Sequence, residues 1–398
     1  MESHGTTWRE RPQWLLYLMA AGVPLSFATW QALLNNFAID RAQFTGAEMG
    51  VLQSLREVPG FLAFTTVFML LVFKEQTFGL IALALLGIGT ALTGFFPSAL
   101  GLYCTTVLMS IGFHYYETVQ QSLALQWSEK SEAPIVLGRL ISFGAFAALV
   151  TYGFIYLANS VWHLDYIPIY LIGGGATVLI ALIAAIAFPH FKHGPPQRKQ
   201  LVLRKRYWLY YALTFLSGAR RQIFIVFAAF MMVEKYGFDV AAVSALFLIN
   251  TAINMVLAPR IGGLVARFGE RRALTFEYIG LIFIFTAYAL VDDAMIAAGL
   301  YVLDHVFFAL AIAIKTYFQK IADPADIAPT AGVSFTISHI AAIVLPAILG
   351  LVWLVNPPAV FFIGAGIACC SLLLSRLIPL TPQPGAEIGR NAISVPAE

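Results

Sequence analysis

The sequence predicts an all-α polytopic membrane protein whose twelve transmembrane helices form two six-helix bundles. Of its 398 residues, 60% are hydrophobic and 11% are charged, whereas soluble domains carry about 25% charged residues. The apolar residues fall into twelve runs of spanning length, and one long hydrophilic gap divides these runs six to six. An internal repeat of about 195 residues further predicts that a pseudo-twofold axis relates the two bundles.

The twelve apolar runs are separated by short connections, in most cases of only a few residues. The third and fourth runs are divided only by Pro97-Ser98, and Pro59-Gly60 is expected to bend the second helix. In chain order the predicted spans are residues 14–39, 46–73, 78–97, 99–125, 134–158, 166–188, 207–233, 240–261, 273–291, 294–319, 328–354 and 357–379.

The hydrophilic gap sets the domain boundaries. It contains Gly194-Pro195-Pro196 and ends in the basic run Arg204-Lys205-Arg206. We therefore predict an N-terminal six-helix bundle over residues 1–188, a basic cytoplasmic linker over 189–206 and a C-terminal bundle over 207–379. The tail, residues 380–398, is rich in Pro, Gly and Ala and is expected to be disordered and cytoplasmic.

The distribution of Lys and Arg predicts the orientation. With the N-terminus inside, eighteen of the 24 basic residues fall on cytoplasmic segments, and only Arg41 and Lys235 fall on outer loops. The remaining four lie within the predicted spans: Arg56, Arg220, Arg221 and Lys315. This bias predicts a plasma (bacterial inner) membrane protein with both termini in the cytoplasm.

The internal repeat is visible as matched residues at a constant offset. Trp14-Leu15 and Phe44-Thr45 match Trp208-Leu209 and Phe238-Asp239 at an offset of 194 residues, and both Thr45 and Asp239 are expected to cap the following helix. Beyond a longer loop, Gly101-Leu102-Tyr103 matches Gly299-Leu300-Tyr301 at an offset of 198. The second offset brings Glu117 onto Lys315.

This arrangement resembles the major facilitator superfamily, and one loop adds a local signature. Residues 262–271 are similar to the superfamily's cytoplasmic Gly-x-Leu-x-Asp-Arg-x-Gly-Arg-Arg loop; the matching residues include Gly262, Arg267, Gly269 and Arg271. Ala266 and Glu270 depart from it, the loop over residues 74–77 lacks it, and Leu108 stands where drug exporters of the family carry Arg, four residues before Gly112. The resemblance implies alternating access, with helices 1, 4, 7 and 10 lining a central cavity.

Charges in the middle of the seventh helix are the most informative feature. A charged side chain at that depth in the membrane costs several kcal/mol, so Arg220 and Arg221 should face protein or a water-filled cavity. One interpretation is that at least one of them faces the cavity near Glu57 and binds an anionic substrate group. A guanidinium can bind a carboxylate or phosphate through two parallel hydrogen bonds. The alternative is a structural ion pair. Arg56 is grouped with the substrate-binding candidates, and Glu57 is a candidate for coupling or for an ion-pair network.

A second set of charges lies on the fourth and tenth helices. Glu117 and Lys315 occupy matching repeat positions and are expected to form a gating salt bridge, or else to face the inner vestibule. Asp304 shares a helix face with Lys315, and His305 is a candidate proton relay. Further substrate-binding candidates are Gln31, Asn250, Asn254 and His339. Glu277, five residues after Arg272, is expected at the membrane interface, paired with the basic loop.

These residues predict a secondary active transporter that is coupled to protons and moves a small organic anion or zwitterion. A drug or metabolite exporter is the alternative suggested by the 14% aromatic content, and a non-transporting membrane sensor is the alternative of another class. The sequence contains no phosphate-binding Gly loop, no paired-carboxylate hydrolase pattern and no Cys–His metal set. We therefore expect no enzymatic activity, cofactor, metal or nucleic acid, and a monomer in the lipid bilayer whose partners are its substrate and protons.

Overall fold

The computed structural model describes residues 9, 11–127, 133–191, 203–323 and 326–389. Within these residues the chain forms twelve helical segments, labelled α1 to α12. They span Pro12–Ala42 (α1), Gly46–Phe61 (α2), Glu75–Thr93 (α3), Ala99–Gln126 (α4), Ala133–Ser160 (α5), Tyr166–Ala187 (α6), Trp208–Gln222 (α7), Val240–Phe268 (α8), Glu270–Leu290 (α9), Ala294–Phe308 (α10), Ile327–Val355 (α11) and Pro357–Ser375 (α12).

Three of these helices change their winding and continue, and each label includes its continuation. α2 passes into a 3-10 turn, Leu62–Thr65, and a short helix, Thr66–Met69. α7 passes into a π-helix, Ile223–Ala228, and then an α-helix, Ala229–Glu234. α10 passes through a 3-10 turn, Ala309–Ala311, into Ile312–Ile321. The break in α2 follows Pro59, which cannot donate a backbone hydrogen bond and therefore weakens the helix locally.

Side chains cap the start of α2 and the start of α8. Thr45 Oγ1 accepts from Ala47 N at 3.3 Å, and Glu48 Oε2 accepts from Thr45 N at 2.9 Å, which is a capping box at the start of α2. Asp239 Oδ1 accepts from Ala242 N at 2.7 Å at the start of α8. The caps predicted at the two repeat positions are thus confirmed.

The connection between α8 and α9 is much shorter than predicted. The sequence predicts a loop over residues 262–271, but α8 extends through Phe268 and α9 begins at Glu270. Only Gly269 interrupts the helices, and its φ of 81° lies in a region that favours glycine. Glu270, which departs from the family signature, is buried and forms an ion pair with Lys320 of α10 (Nζ to Oε1, 2.6 Å).

Ten helical stretches in the described part of the chain are long and apolar enough to cross a membrane. The other two segments are α2, which is interrupted after Phe61, and α4, whose hydropathy is lowered by polar residues such as His114, Glu117 and Gln121. Composition alone therefore identifies most of the spans, and the remaining two are those that carry polar groups or breaks.

The chain forms two compact units, which we call unit 1 and unit 2. Unit 1 comprises Met1–Phe44, Leu55–Gln197 and Phe238–Thr251, and unit 2 comprises Thr45–Ser54, Arg198–Gly237 and Ala252–Glu398. In unit 1, α3 packs against α4 and α6, and α1 packs against α5 and α6. In unit 2, α9 packs against α10 and α12, and α7 packs against α11 and α12. Each unit thus has the same internal packing pattern, as the sequence repeat predicts.

The described part of the tail packs on unit 2. Tyr317 Oη donates to the backbone oxygen of Glu387 at 2.6 Å, and Gly389 N donates to Leu377 O at 2.8 Å. Ile388 packs against an apolar cluster that includes Tyr207 and Ile378. Residues 380–389 are therefore attached to the end of α10, whereas the sequence favours disorder there; residues 390–398 lie outside the described residues.

Candidate functional site

The candidate site lies inside unit 2 and is centred on Arg220. Its side chain has no exposure, and Nη1 lies 3.4 Å from Glu277 Oε1, whose side chain is equally buried. The guanidinium carbon lies 4.5 Å from the centre of the Tyr278 ring, and Nε donates to Leu216 O at 3.4 Å. A buried guanidinium is therefore held by one carboxylate, one aromatic face and its own helix.

Asp304 supplies a second buried carboxyl to this site. It is 1% exposed on α10, and neither of its oxygens has a hydrogen-bond partner within the described residues. Arg220 and Glu277 are both within electrostatic range of it. The group formed by Arg220, Glu277 and Asp304 will be called the charge triad, and it joins α7, α9 and α10.

Aromatic side chains adjoin the triad on α7 and α10. The Phe224 ring lies 4.8 Å from the Tyr301 ring and 4.4 Å from the His305 ring, centre to centre. His305 Nδ1 lies 3.2 Å from Tyr301 O, so its imidazole is tied to its own helix. The Tyr301 and His305 rings flank Asp304 in the sequence of α10, and Asp304 itself is 1% exposed, so electrostatic interactions of its carboxyl are screened little by water.

The local fold of α7 explains how Arg220 reaches this position. Gly218 lies against α11, where a Cβ would meet Ser338 O at 3.0 Å, so glycine permits close packing of the two helices. The π-helix begins at Ile223, two residues after Arg221, and π-helical turns occur often at functional sites. The stretch Gly218 to Gln222 thus combines close packing and buried charge, and a change of helix winding follows it.

Arg221 is placed quite differently from its neighbour. It is exposed, because consecutive residues of a helix point about 100° apart, and no described residue gives it a hydrogen bond or an ion pair. Glu117 of α4 and Lys315 of α10 are also exposed. Of the predicted arginine pair, only Arg221 keeps an uncompensated guanidinium.

The other predicted charged pair lies in unit 1. Arg56 and Glu57 form an ion pair with side chains that are 9% exposed each. The Arg56 guanidinium also lies 5.8 Å from the Trp30 ring centre. The backbone oxygen of Arg56 accepts a hydrogen bond from the Ser110 hydroxyl of α4. Arg56 is therefore bound to its sequence neighbour and anchored between α1, α2 and α4.

The remaining predicted residues are scattered through the two units. In unit 1, Asn250 is buried and Gln31 is half-buried. In unit 2, Asn254 is half-buried, and His339 is buried with Nδ1 2.8 Å from Phe335 O. The loop-signature residues also lie in unit 2, where Arg267 is exposed, and Gly262, Gly269 and Arg271 are half-buried.

The sequence analysis misplaced Glu277, and the correction bears directly on the site. The expectation that Glu277 lies at the membrane interface and pairs with the basic loop is wrong, because it is 0% exposed and pairs with Arg220. α9 begins at Glu270, so Glu277 lies about two turns into the helix. Its spacing from Leu274 and Leu281 places it on the buried face, and this helical periodicity was the available signal.

Comparisons with known proteins identify the family of the chain. The chain matches the family model of the Major Facilitator Superfamily over residues 15–346. No curated protein matches it in sequence at a significant level.

Three solved structures illustrate the shared fold. A mutant of the nucleoside transporter NupG has a TM-score of 0.77 at 14% identity, covering 91% of this chain and 98% of that one. A bacterial homologue of the human lysosomal transporter Spinster, in an inward-facing and occupied conformation, has a TM-score of 0.75 at 13% identity, covering 98% and 100%. An autoinhibited peptide transporter of the POT family has a TM-score of 0.69 at 12% identity, covering 92% and 95%.

These likenesses establish the fold, since the identities are low. They confirm the predicted class, an all-helical membrane protein of twelve helices in two bundles. The family match covers most of the sequence, from α1 well into α11. The chain is an integral membrane protein and belongs to the Major Facilitator Superfamily.

Proposed function

We propose that the chain is a secondary active transporter that works by alternating access, couples transport to protons and moves a small organic anion or zwitterion. Family membership supports transport as such. The solved structures with this fold include a nucleoside transporter and a peptide transporter, so the fold does not select a substrate. The coupling and the substrate class are therefore argued from the residues of this chain.

The observation that carries proton coupling is the charge balance of the triad. Arg220 supplies one positive charge, while Glu277 and Asp304 supply two carboxyls, and all three are at most 1% exposed. A buried charge without a partner of opposite charge carries a large desolvation penalty. Binding of one proton to either carboxyl makes the triad neutral, and loss of that proton leaves one negative charge. The triad therefore has the composition of a site for a single proton.

Arg221 supports the preference for an anion. Arg220 and Arg56 are neutralised by Glu277 and Glu57, whereas Arg221 is exposed and receives no ion pair from the described residues. We assign Arg221 the contact with a carboxylate or phosphate of the substrate, because a guanidinium binds such groups through two parallel hydrogen bonds. Arg220 then serves coupling, one residue away on the same helix.

The substrate class can be tested with purified protein. A thermal-shift screen against organic anions, zwitterions, cations and neutral drugs at two pH values identifies ligands, since a ligand that binds the folded state raises its stability. We expect carboxylates or phosphate esters to be selected, and Arg221→Ala to weaken their binding about 10- to 100-fold. Selection of apolar cations with no effect of Arg221→Ala would instead support the drug exporter.

Coupling can be tested in proteoliposomes that contain a pH-sensitive dye. Addition of a selected ligand should change the internal pH in vesicles with the native protein. Asp304→Asn should abolish this change, whereas Asp292→Asn, which alters an exposed carboxyl outside the triad, should preserve it. Ligand transport without any change of internal pH in the native protein would refute proton coupling.

The distribution of basic residues supports an orientation in the membrane. We propose that the chain is a monomer in a bacterial inner membrane. Both termini are assigned to the cytoplasm, because eighteen of the 24 basic residues lie on one predicted side. Cysteine accessibility at the two termini, measured in intact cells and in inverted vesicles, tests the orientation.

A non-transporting sensor is the second candidate, and one observation favours it. The pairs Arg220–Glu277 and Arg56–Glu57 are closed and buried, as expected if charge serves only structure. Asp304 does not fit that reading, because its carboxyl has no hydrogen-bond partner within the described residues. Tight ligand binding without any counterflow in proteoliposomes would favour the sensor over the transporter.

A further inference from the structure

Tyr288 of α9 carries a buried hydroxyl inside unit 2. The residue is 1% exposed, and its hydroxyl has no hydrogen-bond partner within the described residues. Its ring stacks on the Phe361 ring of α12, with 5.1 Å between the ring centres. A buried hydroxyl normally has a partner, because leaving it unpaired costs stability. Packing therefore accounts for the ring of Tyr288 but not for its hydroxyl.

Asp304 of α10 is an acceptor that matches this hydroxyl. Its carboxyl is equally buried, and both of its oxygens lack a hydrogen-bond partner within the described residues. Tyr288 and Asp304 lie within electrostatic range of each other, on two helices that pack together. An ionised carboxylate can only accept hydrogen bonds, and a tyrosine hydroxyl can donate one. A single hydrogen bond between them satisfies a buried group on each helix.

The directions of α9 and α10 point the two side chains towards each other. Tyr288 lies two residues before the end of α9 at Leu290, and Asp304 lies ten residues after the start of α10 at Ala294. Asp304 is therefore deeper in unit 2 by about 12 Å of helix rise. The short connection makes the helices antiparallel, and helical side chains point towards the N-terminus of their own helix. Tyr288 thus points into the unit, and Asp304 points back towards the α9–α10 connection.

Two further tyrosines lie near Tyr288. Tyr301, three residues before Asp304, and Tyr236, which follows α7, are both within its electrostatic range. The Tyr236 hydroxyl donates to Val291 O at 2.8 Å, so its proton is already engaged at the α9–α10 connection. The Tyr288 hydroxyl remains available as a donor to Asp304.

A hydrogen bond from Tyr288 affects how tightly the triad holds a proton. Arg220 forms its ion pair with Glu277, so Asp304 interacts with these two residues only through electrostatics. A donor to a carboxylate favours its ionised form over its protonated form. Protonated Asp304 carries a hydrogen of its own and has less need of the donor. Tyr288 therefore acts selectively on the state that has lost the proton.

From these observations we propose that Tyr288 is a positioning residue of the charge triad, whose hydroxyl donates to a carboxylate oxygen of Asp304 whenever the triad has lost its proton. This inference rests on the proposed function, in which the triad carries the coupling proton, and it names the residue that tunes the affinity for that proton. The incoming proton binds to the Asp304 carboxylate, and the Tyr288 hydroxyl keeps its own proton throughout.

Infrared titration of the purified full chain measures the proton on Asp304 directly. The carbonyl band of a protonated carboxyl that disappears in Asp304→Asn belongs to this residue. Tyr288→Phe keeps the ring and its stacking on Phe361 but removes the donor. We expect this variant to raise the midpoint pH of the Asp304 band by about one unit, which is a tenfold gain in proton affinity, because hydrogen bonds to charged groups are strong.

Tyr170→Phe in unit 1 is the matched control. Tyr170 is also fully buried, and its hydroxyl also lacks a hydrogen-bond partner among the described residues. This variant should leave the midpoint of the Asp304 band unchanged. Thermal unfolding of both variants should match that of the native protein, which separates a change in proton affinity from a change in fold.

Three results would overturn the role of Tyr288, and they bear differently on the proposed function. If Asp304 titrates but Tyr288→Phe leaves its midpoint unchanged or lowers it, the role of Tyr288 fails and proton coupling by the triad stands. An equal shift in Tyr170→Phe would show that the effect is not local, with the same consequence. If Asp304→Asn removes no titrating band, both the role of Tyr288 and proton binding at Asp304 are refuted.

Discussion

Arg220 of α7 and Glu277 of α9 form an ion pair in which neither side chain has any exposure. The closest approach, from Nη1 to Oε1, is 3.4 Å, and Arg220 Nη2 and Glu277 Oε2 have no hydrogen-bond partner within the described residues. The pair is therefore close enough for strong attraction but is not saturated by hydrogen bonds. Asp304, the third member of the triad, has no hydrogen-bond partner within the described residues and interacts with the pair only through electrostatics.

Breaking this pair from one side should destabilise the protein strongly. Arg220→Leu leaves two buried carboxyls without their cation and should lower the free energy of unfolding by about 3–5 kcal/mol. The double variant Arg220→Leu/Glu277→Leu should recover part of this loss, because it also removes one of the unpaired acids. Denaturant unfolding of the purified protein in detergent measures both.

The exposed pair Lys235–Asp292 provides the control for this comparison. Its side chains are 43% and 92% exposed, so Lys235→Met should change stability by no more than about 1 kcal/mol. Two results would contradict a coupled buried pair. One is an equal loss of stability in Lys235→Met and Arg220→Leu. The other is a double variant whose loss of stability equals the sum of the losses in Arg220→Leu and Glu277→Leu.

Close packing of α3 and α4 makes Gly112 intolerant of a side chain. A Cβ at this position would lie 2.2 Å from Leu86 N and 2.6 Å from Ala82 O, both of them backbone atoms that cannot rotate away. Gly112→Ala should therefore cost about 1–3 kcal/mol. Gly153→Ala on α5 is the matched control, because a Cβ there meets nothing within 4 Å. A similar midpoint of thermal unfolding for the two variants would refute this packing.

Asp326, at the start of α11, should make stability depend on acid pH. The hydrogen bond from the Arg204 side chain is the main cause that holds the pKa of Asp326 below its usual value of 3.8. A carboxyl with a lowered pKa in the folded state stabilises the protein above its usual pKa, and that contribution is lost as the pH falls through the lowered value. The expected window lies below about pH 4.

Asp326→Asn removes this titration, so the variant should lose less stability than the native protein between about pH 4 and pH 2. Thermal unfolding across this range checks it, with Asp292→Asn as a control for loss of an exposed acid. A native and an Asp326→Asn protein with parallel pH profiles would contradict the role of the Arg204–Asp326 pair.

Helix number and the repeat could be predicted from the sequence, because apolar runs and matched caps are local features. Helix ends could not be predicted where polar residues continue a helix: α8 extends through the signature stretch to Phe268, since its intrahelical hydrogen bonds depend on the backbone and not on hydropathy. The break in α2 was expected at Pro59-Gly60 and appears at Leu62, the first residue of the 3-10 turn.

The partners of buried charges were harder to predict than their depth. Arg220 was recognised as a buried charge, but its partner is Glu277, 57 residues later, and no local pattern encodes that contact. Helix geometry explains why Arg220 and Arg221 differ in exposure, because neighbouring residues point about 100° apart. Which of the two is buried depends on where α9 and α10 pack. Asp304 could be placed on a helix face, but its lack of a partner is a property of the fold.

The most direct test of proton coupling compares exchange with accumulation in the Asp304→Asn variant. With a radiolabelled ligand from the thermal-shift screen, we predict that Asp304→Asn still catalyses counterflow in proteoliposomes but no longer accumulates the ligand in response to a pH gradient. Asp304→Glu should retain part of the accumulation, since it keeps an ionisable carboxyl. Accumulation by Asp304→Asn at the native level would contradict the account, because the triad would then carry no coupling proton.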